Sequence, residues 1–455
     1  MRNGKEENAF SHFRPISALL IGDYMLDRYT TGQVSRISPE APVGVLRVEQ
    51  EEFLPGGAGN VALNLLSLGA KVTAVGRIGG DSAGENLSFC LKERGVNIDY
   101  LFKQKEYMTP VKNRLIAGSQ HLLRVDWERI IALDPILEEK IIQHLSLLIK
   151  NSQIVAISDY GKGFLSGMFI SKIITQANKL NVPVIVDPKG IDFSKYRGAT
   201  VIKPNVSEAY AAARLSYKES LETAAEILLS QTEAKKLIVT RSAEGMSLFD
   251  REGKRLDFPV RSKEVKDVTG AGDTVLAMIG VALANGMNIS HAAQLANVAA
   301  GIAIEHIGCA YITLSDLARR LLELSAENKI FDERHLYAIS QVLKGKKFSV
   351  FGVGSKKGMI APIYRTIRHL SSLPDHELII YVKDISPDEE FIYLLSSLKE
   401  VSYIILHSDS LKHLCDAIHP TAVFEMQGEK VVEHNHAKEL LRMLSITSSP
   451  VIEVK

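Results

Sequence analysis

The stretch DVTGAGDT, Asp267–Thr274, runs directly into the apolar sequence Val275–Ala284. Glycines and small residues open a helix here, and one carboxylate, Asp273, stands inside the opening turn. The amides of Gly270, Ala271 and Gly272 precede any helical acceptor, and the helix dipole points the same way. That combination is an anion site, suited to a phosphoryl group in transfer. Asp273 adds a base able to take a proton from an attacking hydroxyl. Anion site and base together fit phosphoryl transfer to an alcohol. Alone, such glycines serve equally well as ordinary turn residues.

A second glycine loop, PGGAGN at Pro55–Asn60, leads into VALNLLSLGA. It is not a P-loop, because the GxxxxGK[ST] spacing is absent. Gly56 and Gly57 allow close backbone approach to a ligand. Asn60 can both donate to and accept from a sugar hydroxyl. A tight turn before an amphipathic helix is the plainer alternative for this loop.

Working outward, apolar runs alternate with amphipathic stretches from Ile16 to Ile312. The runs ALLIGDY, VTAVGRIG, QIVAISDY, PVIVDPK, TVIKPN and KLIVTRS predict buried strands. Alternating strands and helices predict an α/β fold, a parallel sheet with helices on both faces. Ligands collect beyond the carboxyl ends of such strands. The polar residues there are Asp23, Asp27, Asp159, Asp187, Lys189, Asn205 and Thr240 to Ser242. Tyr29–Gln50 and Thr109–Asp126 have a hairpin texture and predict a small β lid, which would keep water from the site. A second, smaller α/β pattern begins at Lys347, with strands expected at FSVFGVG, ELIIYVKD, VSYIILHSD and AVFEMQ. The expected division is a first domain over 1–330, a linker over 331–345 and a second domain over 346–455.

The length of 455 residues fits two or three domains. Lys plus Arg is 54 and Asp plus Glu is 53, so no global field favours nucleic acid or an anionic membrane. Cys90, Cys309 and Cys415 are widely spaced and make neither a disulfide framework nor a zinc set. They fit a reducing compartment, and the start MRNGKEENAFSHFRP lacks the apolar core of a leader. The expectation is a cytoplasmic chain without membrane or nucleic-acid partners.

These motifs resemble the two signatures of the ribokinase-like (PfkB) carbohydrate kinases. Within that family, GDYMLDRYTTGQVSRISPEAPV, PGGAGNVALNLLSLGA, SDYGKG, VDPKG, DFSKYRGAT, KPNVSE, VTRSAEGMSL and DVTGAGDT resemble, in order, the kinase domain of the bifunctional heptose kinase–adenylyltransferases. The resemblance covers roughly Arg14 to Leu314. It implies a three-layer αβα sandwich with a small β lid. It implies ATP-dependent phosphorylation, with Mg²⁺, of D-glycero-β-D-manno-heptose 7-phosphate at O1, a step toward ADP-heptose for lipopolysaccharide. A homodimer is expected.

By the same resemblance Asp273 is the catalytic base, and Gly270, Ala271 and Gly272 form the anion hole. Asn205, Val206, Ser207 and Glu208 match NxxE, whose Glu208 organises magnesium through water. Thr240, Ser242, Gly245 and Asn297 fall in the ATP pocket. Asp27 is the sugar-hydroxyl carboxylate, with Gly56, Gly57 and Asn60 beside it. Lys112, Arg114, Arg124, Lys162 and Lys189 are candidates for the substrate phosphate, and the sequence does not rank them. Other outcomes left open are a PfkB kinase of another sugar phosphate, the full bifunctional enzyme, and a noncatalytic sugar or nucleotide sensor.

The second domain departs from the pattern. The resemblance calls for HxGH after the first strand, where histidines and a helix N-terminus meet phosphorus. Here the place reads GVGSKKGM, Gly352–Met359, without a histidine. The tail SITSSPVIEV faintly matches the closing Ser/Thr segment. A degenerate, Rossmann-like cytidylyltransferase-type domain is expected, retained for assembly, regulation or stability.

Overall fold

The computed structural model describes residues 13–434, except 119, 261–264, 307, 326–328, 407–409 and 429. Residues 1–12, on which the expectation about a leader rests, and the Ser/Thr tail lie outside the described residues, as does part of the expected second domain. The chain forms two compact units, divided between Leu314 and Ser315. Among the described residues no helix is long and apolar enough to cross a membrane.

The first unit is built on a nine-stranded sheet. Its strands, from one edge, are Arg255–Phe258, Met246–Asp250, Lys236–Thr240, Val201–Ile202, Val184–Asp187, Ile154–Ser158, Ser17–Gly22, Lys71–Ile78 and Asn97–Lys103. Only Met246–Asp250 and its two neighbours pair antiparallel; the other pairs are parallel. The central strands are apolar through their middles because both faces are covered. On one face Leu19, Ile21, Val155, Ile157 and Val186 pack with Ile141, Phe169, Ile173, Ala209 and Leu228 of four helices. On the other lie Ala58–Ser67, Ala271–Ala284 and Ile289–Ala303. Gly280 sits in van der Waals range of Ile154 and Ile185, where the Ala271–Ala284 helix rests on the sheet. The three-layer expectation holds.

The expected lid is a separate four-stranded sheet ordered Gly44–Gly57, Tyr24–Ile37, Val111–Ala117 and Gln120–Trp127. Its register places Asp27 beside Lys112 and Lys112 beside Asp126. The next row on that face carries Tyr29, Arg114 and Arg124.

The second unit holds a six-stranded sheet ordered Ile330–Asp332, Tyr403–Leu406, His376–Val382, Lys347–Val353, Ala422–Gln427 and Lys430–His434. All pairs but the last are parallel. Val350, Ile379 and Ile405 face one core, and Phe351, Ile380 and Ile404 face another. The expected boundaries need correction here. Segment 331–345 is no linker: Ile330–Asp332 pairs with Tyr403–Leu406, and Leu336, Ile339 and Val342 are buried in the first of those cores. Ala318, from the helix Leu314–Ser325, joins the same core, so the first domain ends near residue 314 instead of 330. Apolar burial, not the charge-rich texture of the segment, decides its membership.

Candidate active site

The helix Ala271–Ala284 starts at the carboxyl edge of the large sheet. Gly270 precedes it with φ +78, the left-handed conformation that glycine adopts without strain. A Cβ there would also meet the Asn60 side-chain nitrogen at 2.9 Å. The Ala271 amide makes a turn bond to Val268 O at 3.3 Å. Glycine at 270 is therefore required twice, by backbone and by neighbour.

Asp273, in the first turn, is 7 % exposed. Both carboxylate oxygens accept hydrogen bonds: Oδ2 from Asn60 Nδ2 at 2.6 Å, Oδ1 from the Tyr160 hydroxyl at 2.9 Å. Burial pushes its carboxyl above the ordinary Asp range, against the Asn60 and Tyr160 hydrogen bonds and the Lys203 charge, which pull it down. Asn60 Oδ1 is buried and unbonded, so it can still accept from a ligand hydroxyl. Tyr160 is held in turn by its amide, which donates to Asp23 at 2.9 Å.

Lys203 is a buried cation on this edge, paired with Asp187 at 3.0 Å. Its Nζ stands 3.4 Å from where a Gly272 Cβ would be, next to the helix start. Burial raises Asp187 to about 6, with Lys203 opposing and Asp273 adding to the rise. A cavity of about 1200 Å³ opens beside these groups. Asn205, Val206, Ser207, Glu208, Thr240, Ser242, Gly245 and Asn297 all line it, together with Gly270 to Asp273. The site therefore unites the expected base, anion hole and nucleotide residues. It can hold a polyphosphate against amides and Lys203 while Asp273 accepts a proton.

The sugar candidates lie on the lid side. Asp27 accepts from Arg114 at 2.7 Å, with both side chains largely buried. A Cβ at Gly56 would stand 2.5 Å from Asp27 Oδ2, so only glycine fits beside that carboxylate. Gly57 pairs with Tyr24 in the same ladder, and Asn60 follows on the next helix. Lys189, expected with the substrate phosphate, lines the large cavity with the expected nucleotide residues and pairs with Glu208 at 2.9 Å. The strands ending at Asp187 and Ile202 are parallel neighbours, which brings the two residues together.

Glu208 is also half of a capping box with Asn205. One oxygen accepts from the Asn205 amide at 3.1 Å and the other from Lys189. Each carboxylate oxygen keeps a free lone pair. Among the described residues no group of three metal-ligating side chains occurs. This donor set fits an ion that retains its waters, as magnesium does, and offers no complete protein cage.

Tyr160 and Lys203 were not singled out by the sequence reading. The signal was present in SDYGKG and VIKPN, since both residues follow buried strands at the ligand-binding edge.

Comparison with known proteins now bears on this geometry. Residues 17–316 match the pfkB family carbohydrate kinases. The chain belongs to that family. It is 44% identical over 322 residues to the bifunctional protein HldE of Geobacter metallireducens, covering 70% of this chain and 65% of that one. The chain thus spans just under two thirds of the length of that relative. It is 37% identical over 446 residues to the bifunctional protein HldE of a Nitratiruptor species, covering 93% of this chain and 94% of that one. Among solved structures, Arabidopsis thaliana ribokinase complexed with ribose and ATP shares the fold, with TM-score 0.54 and 19% identity over 68% of this chain and 99% of that one. In this PfkB chain the family region ends where the first compact unit ends, near residue 314.

Proposed function

We propose that this chain uses ATP to phosphorylate D-glycero-β-D-manno-heptose 7-phosphate at O1, giving the 1,7-bisphosphate that leads to ADP-heptose. The observation that carries this reading is Asp273, buried at the rim of the large cavity with Asn60 and Tyr160 on its two oxygens. The sugar hydroxyl replaces one of these donors. Its proton passes to Asp273 as its oxygen attacks the γ-phosphoryl, and ADP leaves. The amides at the helix start and Lys203 meet the charge on the transferring group. Magnesium, when bound, neutralises phosphate charge, with Glu208 acting through water and Asn205 fixing its side chain.

Asn297 hydrogen-bonds Pro259 O at 2.8 Å, which fixes a polar wall of the cavity where the adenine is expected. Asp27, supported by Arg114, takes sugar hydroxyls. Heptose is favoured over other sugar phosphates by the long string from Gly22 to Pro42, which carries Asp27 and much of the lid. Exposed Val34, Ile37, Val48 and Leu123 on the lid strands support the expected homodimer.

For the second unit the reading is a lost transferase. The Ser355 amide, in the loop where HxGH is expected, donates to the Asp384 carboxylate. The match to the Nitratiruptor relative across both units favours the competing bifunctional reading. Coupled ADP release, screened over heptose, hexose and pentose phosphates, tests the kinase assignment. Turnover at least tenfold faster with heptose 7-phosphate supports it; preference for another sugar phosphate moves the substrate within the family.

A further inference from the structure

We propose that Lys112 is the cation that holds the phosphate already carried by the sugar; this rests on the sugar-phosphate kinase reading above. Five basic residues compete for that role, and four are engaged. Arg114 is on Asp27 at 2.7 Å, Arg124 on Asp126 at 2.9 and 3.0 Å, Lys162 on Glu128 at 2.5 Å and Lys189 on Glu208 at 2.9 Å. Lys112 makes no ion pair among the described residues.

The lid register shows why. One face carries Asp27, Lys112 and Asp126 in one row and Tyr29, Arg114 and Arg124 in the next. Three cations share two carboxylates, and both carboxylates are taken by the arginines. The Lys112 ammonium instead lies 5.4 Å from the centroid of the Tyr160 ring. Burial lowers its pKa and nearby Lys162 and Arg124 push the same way, against Asp27 and Asp126. A half-buried cation without an anion is an unfavourable arrangement that a phosphate would relieve. Tyr160 also links the two groups. Its hydroxyl donates to Asp273 while its ring meets Lys112, so one side chain touches both base and cation. A sugar held against Tyr160 would keep its reacting hydroxyl at Asp273 and its phosphate at Lys112.

The test compares wild type, Lys112→Met and Lys112→Arg by steady-state kinetics on paired sugars. The pairs are heptose 7-phosphate with heptose, and fructose 6-phosphate with fructose. Lys112→Met is expected to lower kcat/KM for the phosphorylated sugar by about 10–100-fold more than for its partner, chiefly through KM. Lys112→Arg is expected to recover most of the loss. Equal losses on both members of a pair, or no loss, would overturn the proposal. Wild-type turnover of fructose 6-phosphate but not heptose 7-phosphate would sink the heptose assignment alone, with Lys112 then judged on the hexose pair. Wild-type turnover of unphosphorylated sugars alone would sink the Lys112 proposal and leave the kinase assignment standing. If no sugar turns over, thermal protection by the two sugar phosphates decides: protection lost in Lys112→Met supports the proposal, and its absence in wild type overturns it.

Discussion

Both units place a glycine-bearing turn before a helix beside a parallel sheet, and the two turns differ in what their amides meet. At Gly270–Asp273 the helix start borders a large cavity, with Lys203 beside it and the Asp273 carboxylate set among hydrogen-bond donors. At Gly352–Gly358 the chain fills its own turn. The Ser355 amide is bonded to Asp384, and Ser355 Oγ accepts from the Asp388 amide at 3.0 Å, leaving Ser355 2 % exposed. A carboxylate bound where an anion would bind competes with phosphate and repels it. The first turn borders a cavity, and the second has a carboxylate on one of its amides. A sheet and a glycine turn give the place for phosphate chemistry, and the neighbouring charges decide whether it happens.

The comparison breaks most sharply at Asp273. Asp273→Asn keeps the size and much of the hydrogen bonding but removes the proton acceptor. Turnover should fall by ~10²–10⁴-fold while ATP affinity, read by equilibrium titration, changes little. A variant keeping a tenth of the rate would show that another group is the base.

Next in size is Asp27→Asn. It loses the charge that holds Arg114 and the acceptor for sugar hydroxyls. The expected effect is about 10²-fold in kcat/KM for the sugar, with ATP KM nearly unchanged. Equal losses for both substrates would mean that the lid has collapsed instead.

A smaller and more diagnostic effect is expected of Tyr160→Phe. The Tyr160 hydrogen bond favours ionised Asp273, so its removal raises a carboxyl already raised by burial. Activity needs the carboxylate and is lost as pH falls through its pKa. The acid limb of the pH–kcat/KM profile should therefore move to higher pH, with a drop of roughly tenfold or less at its plateau. An unmoved limb would remove Tyr160 from the site.

Glu208→Gln, which keeps the capping geometry but loses the charge, should change the rate at saturating Mg²⁺ least of the four. The Mg²⁺ concentration for half-maximal rate should rise by about 10-fold. An unchanged titration would make Glu208 a helix cap only.

What the sequence disclosed follows from how far apart the cooperating residues lie. Asp273 and its glycines are contiguous, so their place at a helix start beside a cavity was legible in eight letters. The long apolar strands disclosed both sheets. Tyr160 lies 113 positions before Asp273, and only the packing of the Ala271–Ala284 helix on the strand Ile154–Ser158 brings them together. Lys189 and Glu208 pair through the same parallel adjacency, which composition does not encode. The strand Ile330–Asp332 is too short to show a period, which is why 331–345 read as a linker.

The most direct test of the central claim is a phosphorus NMR time course of the purified chain with ATP, Mg²⁺, heptose 7-phosphate and heptose 1-phosphate. The heptose 1,7-bisphosphate signal should grow, with ADP in equal amount and no pyrophosphate. A pyrophosphate signal that grows with ADP-heptose, or no bisphosphate at all, would contradict that claim.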